Sequence, residues 1–368
     1  MKSFSFILLL ALFCFVGQAS ELRYAKNFSI RDHEDYREIE VRNTWVGAGD
    51  EKQVYALVPR GSDLPELDDS VVVIRTPVER LAVMTTVFLG VVHELDLYES
   101  LAGVANPNFV NDQRTIELLE AGKVKELQSG SSMNLETMML LQPDLVLTST
   151  TGNPTFDVDP QLSRSALPIV VTAAYMEEHP LGRTEWIKFV AAFYGEEKQA
   201  LADIIFNEVA TEYERLVELA AAVESRPTVL TNAPFGGSWH VSGGQSYTAK
   251  ALEHAGADYL WKDLDSSGSQ PMDIEIILQR AADVDIWLNP SSYSTMKSLL
   301  AQDERYVAFK ALREGEVYNK TVRVNENGGN DIYERGVAHP EEVLADLIKI
   351  FHPELLPEHE FVFYEKLK

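Results

Sequence analysis

The chain has 368 residues, a formal charge of -25 and 45% apolar residues. That length exceeds what one hydrophobic core usually organises, so two domains are expected, and the acidity (pI near 4.7) works against binding nucleic-acid phosphates or anionic lipid within a Debye length. The single cysteine, Cys14, excludes an intrachain disulfide framework and a cysteine-held metal site.

In chain order, Lys2 precedes an apolar run over residues 4–16 and the small-residue stretch Gly17 to Ser20, the pattern of a secretory signal over residues 1–19 cut after Ala19. The run is shorter than the about 20 apolar residues that a membrane span needs. A lipid anchor at Cys14 is the less favoured route, because Phe13 stands where a small side chain is wanted. Short strands are predicted at residues 36–45, where Ile39 and Val41 alternate with charged neighbours, and at 54–58 and 71–74. From residue 81 the pattern becomes a strand followed directly by a helix, and strands recur at 104–106, 144–148 and 169–172. This is the rhythm of a parallel α/β sheet, and it assigns residues 20–182 to a first lobe.

Residues 183–225 form a linking region whose apolar positions from Leu201 to Val223 recur at threes and fours after a break at Gly195. A helix of about 29 residues there would run about 43 Å, long enough to join two lobes. Arg226 and Pro227 end it, and a second α/β series with strands at 228–231, 286–289 and 317–324 assigns residues 226–368 to a second lobe. The expected fold is therefore α/β, two Rossmann-like lobes joined by a long rigid helix, with a ligand cleft between them. An internal echo supports this, since Met133-Asn134-Leu135-Glu136 and Met272-Asp273-Ile274-Glu275 each open a helix that leads to a strand beginning with Asp.

Catalytic signatures fail one by one. Arg37 and Leu97 occupy the positions where His33-Glu34 and His93-Glu94 would need a second histidine for a zinc helix. Gly47-Ala48-Gly49 lacks its third glycine at Lys52, and neither a phosphate loop nor a serine elbow is present. The eight histidines show no metal-ligand spacing, and only His240 adjoins a loop of interest below. The reading is no enzyme, no catalytic residue, no metal site and no cofactor.

Asn134-Leu135-Glu136 followed by Gln142-Pro143-Asp144-Leu145-Val146 resembles the signature of the helix-linked (class III) periplasmic binding proteins of iron-complex and cobalamin ABC importers. The Ser242-Gly243-Gly244-Gln245-Ser246 turn, the stretch from Met272 to Leu278, and Asn330 to Arg335 with Pro340 are similar to the corresponding family segments. The resemblance implies a periplasmic solute-binding component that captures a ferric chelate of siderophore type, or alternatively haem or cobalamin, and hands it to inner-membrane permease subunits. It also implies that Glu136 and Glu275 dock arginines of the permease. Both glutamates also suit helix N-termini capped by Asn134 and Asp273. Cobalamin binders of the family carry tryptophan six residues before each docking glutamate, where this chain has Gly130 and Ser269. That departure favours a polar chelate.

In such a binder, ligands meet loops at the carboxyl ends of strands. The residues expected to line the cleft are Thr86, Phe88, Asn106, Phe109 and Ser131 from the first lobe, with Asn232, Phe235, Trp239, Tyr293, Asn327 and Arg335 from the second. The aromatic members suit flat walls for a macrocyclic or aryl ligand, and Arg335, with Arg323, suits ligand carboxylates. A two-lobed α/β enzyme and an unliganded adhesion or scaffold protein are the readings from other classes. The first would show a catalytic constellation, the second an apolar cleft without polar partners.

Overall fold

The computed structural model describes residues 21–368 except 46, 50, 131, 151–161, 163, 164 and 292. Four strands, β1 (Phe28–Asp32), β2 (Arg37–Arg42), β3 (Lys52–Pro59) and β4 (Val72–Thr76), make a first sheet in that order, antiparallel except for the β3–β4 pair. In β2 Ile39 and Val41 are buried as expected, and Glu40 between them is buried too, its carboxylate paired with Arg42 and Lys52. Tyr55 of β3 joins this sheet to the next by accepting a hydrogen bond from the Val171 amide at 2.9 Å.

The second sheet draws on β5 (Leu81–Val83), α1 (Val87–Glu94), β6 (Leu101–Ala105), α2 (Gln113–Glu120), β7 (Lys125–Ser129), β8 (Ser132–Met133), α3 (Leu135–Leu141), β9 (Leu145–Ser149) and β10 (Ile169–Thr172). Its strand order is β10-β9-β5-β6-β7-β8, parallel apart from β8. Both faces are covered, so Leu145 to Leu147 read as an unbroken apolar run, all fully buried.

The chain turns helical shortly before residue 183, with α4 (Pro180–Thr184), and continues through α5 (Trp186–Ala191) and the 26-residue α6 (Glu196–Ala221), which is set off by Gly195 at φ 94°. Two buried carboxylates fasten the start of the described chain to this region. Glu185 accepts the amides of Arg23, Tyr24 and Ala25 at 2.8 to 3.1 Å and pairs with Lys188, while Glu177 accepts those of Lys26 and Asn27.

The remaining elements are β11 (Thr228–Thr231), β12 (Pro234–Phe235), β13 (Ser238–Ser242), α7 (Tyr247–His254), β14 (Asp258–Tyr259), β15 (Ser269–Met272), α8 (Ile274–Arg280), β16 (Ile286–Leu288), α9 (Met296–Gln302), α10 (Lys310–Glu314), β17 (Val317–Asn319), α11 (Arg335–Ala338), α12 (Pro340–Phe351) and β18 (Glu365–Lys366). A five-stranded sheet runs β14-β11-β16-β17-β18, parallel except for β18, beside a small antiparallel sheet β12-β13-β15. The strand expected over 317–324 ends at Asn319. That side chain turns aside to donate to the carbonyls of Ser291 and Tyr293, and Val322 and Val324 are exposed.

Candidate functional site: a cleft at the strand ends

The chain turns sharply where the parallel strands end. Asn106 after β6, Asn232 after β11 and Asn289 after β16 all adopt positive φ, 50°, 67° and 57°. Asparagine is the side chain that tolerates this region best after glycine. Asn106 leaves its Oδ1 buried with no hydrogen-bond partner, an acceptor waiting at the end of β6. Asn232 is spent on the protein itself, donating from Nδ2 to the His240 carbonyl at 2.9 Å while its own carbonyl accepts the Trp287 indole.

Three expected wall or anchor residues are placed elsewhere. Gly236 and Gly237, at φ 61° and 86°, form the two-residue turn of the β12–β13 hairpin, with both central residues at positive φ as a type I′ turn demands. Trp239 therefore lies on a strand, not a loop, and alternation points it inward. Its indole is fully buried against Trp287, Tyr306 and Phe309, with Nε1 donating to the Thr231 carbonyl. Phe88 faces the core from the first turn of α1, at 4% exposure. Arg335 holds Glu342 through two hydrogen bonds, so its guanidinium is committed within the second lobe.

The other positions stay at the surface. Phe235 stands at the hairpin tip, 80% exposed, and Phe109 is 47% exposed on the turn after Asn106. Tyr293 is half-buried, its backbone fixed by Asn319. Thr86 is the N-cap of α1, and Asn327 lies exposed on the turn between Asn325 and Gly329. Ser131 lies outside the described residues.

That turn also bridges the two halves, a feature that the sequence pattern does not announce. Asn325 Nδ2 donates to the carbonyls of Asn108 and Val110 at 3.1 and 3.0 Å. A side chain on Gly329 would meet the Phe109 carbonyl at 2.2 Å, so only glycine fits there. Glu334 accepts the amides of Asn111 and Asp112, both at 3.0 Å, and its burial pushes its pKa up to about 7. His339 binds Glu94 of α1 through Nε2 and Glu341 through Nδ1, each at 2.9 Å. Burial alone would lower its pKa, but the two carboxylates outweigh it and raise it to about 10.

Glu136 and Glu275 occupy equivalent places in the first turns of α3 and α8, both exposed. Asn134 caps the first helix through Thr137 N and Asp273 the second through Glu275 N. Exposed aliphatic side chains flank each: Met139 and Leu140 beside Glu136, Ile276 and Val307 beside Glu275. Glu275 also pairs with Arg305 at 2.8 Å. The Ser242 to Ser246 turn has its own steric reason, since a side chain at Gly243 would stand 2.0 Å from the Ser266 carbonyl.

A family model for the periplasmic binding protein matches residues 81–321, spanning both parallel sheets. This chain belongs to that family. As a periplasmic binding protein of the ABC transporter type, helix-linked and non-enzymatic, it binds a small molecule and works with permease subunits. Solved structures agree in fold. A possible iron-binding (periplasmic solute-binding) protein from Staphylococcus epidermidis gives a TM-score of 0.57 at 16% identity, over 75% of this chain and 99% of that one. A periplasmic heme binding protein from Pseudomonas aeruginosa gives 0.58 at 17%, over 79% and 98%. Two uncharacterized lipoproteins of Methanocaldococcus jannaschii are 26% and 25% identical, over 82% and 94% of this chain and 72% and 87% of theirs. Their names carry the lipid anchor that Phe13 disfavours at Cys14, and residues 1–20 lie outside the described structure. Among the described residues no helix is long and apolar enough to cross a membrane.

Proposed function

We propose that this periplasmic binding protein captures a ferric chelate of siderophore type between its lobes and releases it to a permease. The reading is supported by two exposed rings, Phe109 on the strand-end turn of the first lobe that also carries the unpartnered Asn106 acceptor, and Phe235 on a hairpin of the second. Flat apolar walls with a few aimed polar groups suit an organic shell around a metal better than a bare ion. The S. epidermidis protein, named as possibly iron-binding, lends the same direction.

Haem is the second reading, favoured by the P. aeruginosa relative in fold and by the same rings, which would stack a macrocycle equally well. Cobalamin ranks below both, because Gly130 and Ser269 stand where its binders in this family carry tryptophan. Tryptophan fluorescence of residues 20–368, titrated with ferric siderophores, haemin and cyanocobalamin, tests the proposal. Saturable quenching by a ferric siderophore, with haemin and cyanocobalamin at least about tenfold weaker, is the expected outcome. Tight haemin binding would transfer the assignment to haem, and silence across all three would overturn it.

Export by cleavage after Ala19 is our reading of the leader. The intact mass of the exported protein decides it, since a diacylglyceryl adduct on Cys14 would refute that cleavage.

A further inference from the structure

A second cavity, of about 140 Å³, lies where the linking region meets the second lobe, and of the strand-end residues above Asn289 alone lines it. Its walls come from α4, the middle of α6, the start of α7, the ends of β11 and β16, and α11 with α12. Aliphatic side chains and four rings, Tyr213, Tyr247, Tyr333 and Tyr364, make most of the lining. Two cations reach it, Arg183 and Lys320, and among the described residues no carboxylate lines it, in a chain of formal charge -25.

These cations are not neutralised by their neighbours. The Arg183 guanidinium lies 4.1 Å from the Tyr247 ring centre, and its Nε is buried with no hydrogen-bond partner. Lys320 donates to Tyr333 Oη at 2.8 Å and holds that phenol below its ordinary pKa. Asn289, forced to positive φ at the end of β16, leaves Oδ1 buried and without a donor. A buried donor and a buried acceptor left open in one cavity mark places that a ligand would fill, because each unmade bond carries a desolvation penalty. The size is close to the about 150 Å³ that admits one benzene ring.

We propose that this cavity is a second binding site, for a monocyclic aromatic acid. The carboxylate meets Arg183 and Lys320, the ring packs among the tyrosines, and a ring hydroxyl supplies the donor that Asn289 lacks. Such a site is separate from the cleft, and a solute there touches α4 and α6 of the linking region as well as the second lobe.

Calorimetric titration of residues 20–368 with 4-hydroxybenzoate, and with the neutral 4-hydroxybenzyl alcohol, tests it. The acid should bind saturably, at least about tenfold more tightly than the alcohol, and Arg183→Gln and Lys320→Gln should each weaken it about tenfold. Phe235→Ala should leave it unchanged while altering the cleft ligand. Absence of saturable heat with the acid, equal binding of the alcohol, or loss of the acid on Phe235→Ala would overturn the proposal. The comparison of acid with alcohol uses the unaltered protein, so it stands even if a variant fails to fold.

Discussion

Two aromatic residues four positions apart in sequence show how a single backbone turn assigns roles. Phe235 and Trp239 flank Gly236 and Gly237, and the tight turn between them sends one ring outward and draws the other into the core. Trp239→Ala should cost about 3–5 kcal/mol in chemical denaturation, the usual range for emptying a buried aromatic site. Phe235→Ala should change stability by less than about 0.5 kcal/mol, since the side chain is 80% exposed. It should nevertheless weaken the cleft ligand by about tenfold. Unchanged affinity in that variant would remove the hairpin tip from the ligand wall.

At the scale of elements, α3 and α8 present the same combination, a capped first turn with an exposed glutamate and aliphatic neighbours. Interfaces of this kind combine apolar contact with charges that steer and fix register. Glu136→Ala and Glu275→Ala should therefore leave ligand affinity within about twofold and lower permease-coupled uptake by about tenfold or more, more steeply in the double variant. Normal uptake by the double variant would reduce both residues to helix-terminus stabilisers.

The sequence pattern reveals the strands β9 and β16 because burial along almost their whole length enforces short unbroken apolar runs. It hides β7, whose Lys125–Ser129 stretch contains one buried aliphatic, Leu127, among polar neighbours. It also hides β15, which opens Ser269-Gln270-Pro271, because an edge strand of a small sheet needs no apolar period. The candidate cleft is legible as a set of loops but not as a set of side chains: a glycine pair reads as open loop until its partner strand is known. Arg335 likewise reads as a free cation until α12 brings Glu342 beside it.

At the scale of the molecule, the bridge between halves predicts a pH response. His339 has a folded pKa raised to about 10 from an ordinary 6.5, so its contribution is complete below about pH 6.5 and lost as pH rises toward 10. Glu334, raised to about 7 from 4.5 by burial, favours its protonated form, so its share of stability declines over the lower window, from about 4.5 to 7. Thermal unfolding should show stability falling through both windows, and His339→Gln should flatten the upper one while leaving the lower. The loss at neutral pH should be on the order of 2 kcal/mol. An unaltered upper slope in the variant would mean that His339 is not the titrating group.

The turn of Asn325 to Glu334 has a further consequence for timing. Bonds that clasp the halves through the turn that carries Phe109 add to the barrier that a departing solute must wait for, so loosening them should shorten its dwell time. In such a carrier the clasp would slow the loss of cargo until a permease draws the halves apart.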